Sequence, residues 1–162
     1  MIFGNPDKFA IYIDVVKDWS YPDFEEGVFA YIIDNKITPK NCFSISSTLG
    51  AYWSELILQY NWKQDGCTEN QYIFELDTVK AYELLHKMRF LGIDNDQVWK
   101  YSLLVGEMID NSNEVYLVTF EDKEKVFFKA KDIESITCLE LQKGTVSNVL
   151  LEAYKWCLDN LE

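Results

Sequence analysis

Met1-Ile2-Phe3-Gly4-Asn5-Pro6-Asp7-Lys8-Phe9-Ala10-Ile11-Tyr12-Ile13-Asp14-Val15-Val16 opens the chain. Gly4-Asn5-Pro6-Asp7 reads as a turn, because Gly and Asn tolerate positive φ and Pro fixes its own. Beyond it, Phe9, Ile11, Ile13 and Val15 alternate with Lys8, Ala10, Tyr12 and Asp14. A period of two places alternate side chains on opposite faces, so this is a strand with one face buried. The stretch predicts the founding strand of a sheet, preceded by a short apolar hook. It holds no chemistry of its own.

Working outward, Asp18 to Gly27 reads as a loop broken by Pro22 and Gly27. Val28–Ile33 and Lys36–Thr38 form a hairpin about Asp34-Asn35, and Pro39 ends the pairing. A short strand is predicted over Asn41–Ser46. Ser46-Ser47-Thr48 offer N-caps to a helix reaching about Asn61. Tyr72–Leu76 reads as a strand. Asp77 caps a helix over Thr78–Phe90, with Ala81, Leu84, Leu85, Met88 and Leu91 on one stripe. Strands follow at Val98–Ile109, Glu114–Glu121, Lys125–Ala130 and Glu134–Leu141, joined by the polar links Asp110–Asn113 and Glu121–Glu124. The final helix has the stripe Val146, Val149, Leu150, Ala153, Cys157 and Leu161. The pattern predicts one α+β domain over residues 1–162. It has a mostly antiparallel β-sheet, three helices, and the C-terminal amphipathic helix packed on the sheet.

Hydrophobic residues make up 48% of the 162 residues, enough for a sizeable core. The net charge of -12 repels phosphate backbones, so nucleic acid is an unfavourable partner and a basic protein a favourable one. Cys42, Cys67, Cys138 and Cys157 lie far apart, and His86 is the only histidine, which argues against a zinc site. No basic segment followed by an apolar run opens the chain, and no run of about 18 apolar residues occurs. A cytoplasmic protein without signal peptide or membrane span is expected.

Catalysis has few candidates. His86 lies mid-helix beside an apolar stripe, and a nucleophile would have to reach it through the fold. Asp110, Ser112, Glu114 and Glu121 imitate the spacing of a calcium loop, but Val115 stands where that loop needs Gly. No phosphate-cradling Gly-rich turn and no Gly-x-Ser-x-Gly occurs. The chain is therefore expected to be no enzyme and to need no metal or cofactor. Trp19, Tyr21 and Phe24 stand among Asp18, Asp23, Glu25 and Glu26. Such a loop suits an anchor for a basic partner, or else folds back to cover a sheet edge.

The opening Met1–Pro6 with Phe9-Ala10-Ile11, the segment Gly27–Pro39, and the closing helix with Ala153, Trp156 and Leu158 resemble the immunity protein 42 family. These are small bacterial proteins found beside polymorphic and contact-dependent toxins. The resemblance implies a non-catalytic protein that binds the C-terminal domain of its cognate toxin and blocks it. Toxin domains of such systems are often basic nucleases, so an acidic inhibitor could occupy the surface meant for phosphates. Charge and turn position then single out Asp23, Glu25, Glu26, Glu121, Asp122 and Glu124 as contacts, with Trp19 and Phe24 as anchors. A monomer is expected. A scaffold or homo-oligomeric subunit is the alternative, and a small hydrolase a further one.

Overall fold

The computed structural model describes residues 1–22, 25–44, 46–49, 68–90, 100–103, 105, 114–129 and 135–161. The first sheet has the order β1 (Ile2–Gly4), β2 (Phe9–Val15), β3 (Glu26–Ile33), β4 (Lys36–Thr38), with β5 (Ser47–Thr48) also on β3. The apolar hook is thus a strand: Ile2 pairs with Tyr12 and Phe3 with Ile11. Asp34 and Asn35 adopt positive φ (51° and 59°), which matches the twist that a two-residue hairpin needs.

The second sheet has the order β6 (Glu114–Phe120), β7 (Lys123–Lys129), β8 (Thr137–Gln142). Every strand pair in both sheets is antiparallel. Three α-helices lie among the described residues: α1 (Thr68–Glu75), α2 (Thr78–Phe90) and α3 (Thr145–Asn160).

The main core lies between the sheets. Phe9, Ile11, Ile13, Phe29 and Tyr31 meet Val115, Leu117, Val126 and Phe128, and α3 adds Val146, Val149, Leu150, Ala153 and Cys157. Tyr31, fully buried, donates its hydroxyl to the Leu103 carbonyl at 2.6 Å, and its desolvation pushes the phenol pKa up. The opposite face of the second sheet carries α1 and α2, through Ile73, Phe74, Ala81, Tyr82 and Leu85. This is the α+β architecture expected, with the C-terminal helix packed on sheet. Ser147 in that helix is buried and donates to the Gly144 carbonyl.

Several local expectations are corrected. Cys42–Ser44 is a 3-10 turn rather than part of a strand. Ser47 and Thr48 form β5, and the helical residue Leu49 follows them directly. They pair with Gly27 and Glu26, and Thr48 Oγ1 donates to Glu26 Oε1 at 2.6 Å. Gly27 does not break a loop but sits inside β3, where a Cβ would come within 2.1 Å of the Asp14 carbonyl oxygen. The helix expected as far as Asn61 lies largely outside the described residues.

Tyr72–Leu76 is no strand. Residues 72–75 end α1, whose buried Asn70, Ile73 and Phe74 recur at three and four residues, a helical face. Of the strand expected at Val98–Ile109, Ser102 bridges Tyr116 beside β6, and most of the rest lies outside the described residues. Asp77 does cap α2: its Oδ1 accepts the Lys80 amide at 3.1 Å.

Candidate partner-binding surface

The β6–β7 link is a two-residue turn, not the four-residue link expected. Glu121 takes positive φ (51°), and Thr119 already faces Glu124 across the ladder. The Asp122 carbonyl accepts the Lys143 amide at 2.8 Å and Gln142 Nε2 at 2.6 Å, which fixes the tip against the β8–α3 junction. The Glu121 and Asp122 side chains remain exposed. Beside them Lys123 Nζ lies 2.6 Å from Glu140 Oε1, and that hydrogen bond holds the Glu140 carboxyl below its usual range.

Glu124 is not a turn residue. It stands in β7, 2% exposed, and points at the start of α3. Its Oε1 accepts the Val146 amide at 2.7 Å and its Oε2 the Gly144 amide at 3.0 Å. Helix N-termini leave amides without intrahelical partners, and this carboxylate supplies one from another strand. Burial pushes its pKa up, while those amides act against the shift. A side chain so enclosed cannot touch a partner.

The loop before β3 is divided. Trp19 folds back, half-buried, onto the cluster of Val28, Ala30 and Cys42, and so covers the outer face of the first sheet. Asp23 and Phe24 lie outside the described residues. Glu25 is half-buried and its carbonyl accepts the Leu49 amide at 2.9 Å. Glu26 begins β3, and its carboxylate accepts from Ser46 Oγ and Thr48 Oγ1. Tyr21 projects, 74% exposed. The two acidic segments therefore stand in different sheets, and of their described acidic side chains Asp18, Glu121 and Asp122 are exposed while Glu25 and Glu26 are half-buried.

A polar cluster that sequence reasoning passed over joins α2 to β6. Glu114 Oε2 accepts the Tyr82 hydroxyl at 2.5 Å and the Tyr116 hydroxyl at 3.2 Å, and His86 Nδ1 lies 2.7 Å from the same oxygen. The signal was available: Tyr82 and His86 are four apart on a helix, and Glu114 and Tyr116 two apart on a strand. Burial, with Glu114 beside them, pushes both phenols well above their ordinary range, so they stay protonated donors near neutral pH. Three groups converging on one oxygen clamp a helix to a sheet.

Glu114 and Glu121 stand at opposite ends of β6, about 20 Å apart at strand rise, so they cannot share an ion. Among the described residues no group of three His, Cys, Asp or Glu gathers in metal-binding geometry. Cys42 and Cys157 are buried, and Cys138 is half-buried. Burial pushes the Cys42 and Cys138 thiols up, away from reactive thiolate. Among the described residues no helix is long and apolar enough to cross a membrane.

Comparison with known proteins gives two matches. The family model described as Immunity protein 42 matches residues 1–156. The crystal structure of CdiI from Burkholderia dolosa AUO158 superposes with a TM-score of 0.76 at 22% identity, over 96% of this chain and 99% of that one. At that identity the likeness establishes the shared fold. No curated protein matches the sequence.

Proposed function

The chain belongs to the Immunity protein 42 family, and from that premise we propose that it binds and neutralises the C-terminal toxin domain of a cognate polymorphic or contact-dependent inhibition toxin. The observation that carries this reading is the family match across residues 1–156. The protein acts in the cytoplasm by occupation, without catalysis and without a cofactor. Its monomer forms a one-to-one complex.

The partner is a basic domain, of the nuclease kind. A net charge of -12 accelerates encounter with such a domain and competes for the surface where phosphates would lie. Glu121 and Asp122 suit this role, because a hairpin tip with fixed backbone presents two carboxylates without the cost of ordering a loop. Glu25 and Trp19 are secondary contacts. Glu124 has no part, and Glu26 is engaged with Ser46 and Thr48.

The test is calorimetric titration with the C-terminal domain of the large protein encoded beside this gene. Nanomolar binding that weakens as salt is added is the expected result. Tight binding indifferent to salt would keep the immunity reading and remove charge mimicry. No binding would remove both.

A further inference from the structure

Strand register sets Ile2, Tyr12 and Ala30 in one row on the outer face of the first sheet, with Asp14 and Val28 in the next. Val28 and Ala30 are buried there beneath Cys42, with Trp19 and Ile37 packed around them. The row does not end in buried side chains. Phe43, in the 3-10 turn, is 60% exposed and stands edge-on to Tyr12, ring centroids 5.6 Å apart. Ile2 is 51% exposed at the open edge of the sheet. Beside them Asp14 is exposed and accepts the Tyr12 hydroxyl at 3.3 Å.

Single exposed apolar side chains are ordinary, but Phe43, Tyr12 and Ile2 adjoin one another. Aromatic rings next to a carboxylate match the guanidinium of arginine, which stacks on a ring face while pairing with an anion. The overall charge of -12 favours the same kind of partner.

We infer that the Phe43–Tyr12–Ile2 row, with Asp14 at its margin, is the anchor on which an arginine-bearing, basic protein surface docks. This rests on the toxin-neutralising reading and names the part of the surface that supplies its affinity. Interface energy concentrates in a few aromatic and arginine contacts, whereas exposed rim carboxylates chiefly set the encounter rate. The carboxylate tip and the aromatic row therefore have separate tasks.

The experiment titrates the neighbouring toxin's C-terminal domain with wild-type chain, Phe43→Ala and Phe43→Tyr. Melting curves and light scattering accompany each titration. Phe43 is exposed enough that its truncation should leave melting unchanged. The expected result is affinity reduced about tenfold or more in Phe43→Ala, through faster dissociation, and retained in Phe43→Tyr. Equal affinity of wild type and Phe43→Ala overturns the inference while leaving the immunity reading intact. A wild-type dimer that Phe43→Ala turns into a monomer assigns the row to a second copy of this chain and also overturns it. Absence of wild-type binding removes the reading together with the anchor.

Discussion

Glu124 shows what one side chain can do when a strand aims it at a helix. Its two oxygens take the Gly144 and Val146 amides while the residue stays 2% exposed. Desolvation raises its folded pKa above the ordinary 4.5. For an acid shifted upward, the stability it contributes is fully present below the unfolded value. That contribution is lost as pH rises through the folded value. Glu124→Gln removes this titration and sets an amide N–H against a backbone donor, a fixed loss. The melting gap between the two proteins should therefore move in the variant's favour as pH rises from 4 to 7. The movement is about 1.4 kcal/mol for each unit separating folded and unfolded pKa values. A gap independent of pH would show that the carboxylate keeps its ordinary affinity for protons inside the fold.

At the scale of elements, α1 depends on partners far along the chain. Asn70, 2% exposed, donates to the Thr119 carbonyl at 2.8 Å and accepts the Tyr101 hydroxyl at 2.8 Å. Lys125 Nζ donates to the Phe74 carbonyl at 2.6 Å and lies over the Phe74 ring, so a strand supplies the cation that the last helical turn lacks. Asn70→Leu removes both of these buried hydrogen bonds and should lower unfolding free energy by about 1–3 kcal/mol in urea titration. No loss would mean that water or a neighbouring side chain replaces the amide. These long-range bonds explain why the run Tyr72–Leu76 misled: its β-formers are locally strand-like, and the helix is chosen by packing. Where the pattern is self-contained, reading was secure. The period of two in β2, the stripe of α3 and the Asp77 cap need only neighbours within a turn or two. The pairing of Ser47 and Thr48 with β3 was not legible for the same reason as α1, because Glu26 engages Thr48 from 22 residues away. The exposed pair Glu121-Asp122 was legible as turn chemistry. Whether the turn had two residues or four was decided by Glu124 finding α3.

At the scale of the whole molecule, the binding proposed here would divide its work between charge and apolar anchor. Two sheets enclose the core, so the β6–β7 tip and the Phe43–Tyr12 row stand on different sheets that share it. Charges act beyond contact range, over about 10 Å at 0.1 M salt, while the aromatic row acts only once touched. Reversing Glu121 and Asp122 to Lys should then slow association with a basic toxin domain by about threefold to tenfold at low ionic strength. Its effect on dissociation should be small. Near 1 M salt, where screening shortens to about 3 Å, the variant and the wild type should associate alike. Stopped-flow association across a salt series measures this. Unchanged rates at low salt would place the tip outside the encounter surface and leave steering to the remaining acidic side chains. A slower association persisting in high salt would make the tip a direct contact, held by geometry rather than by field.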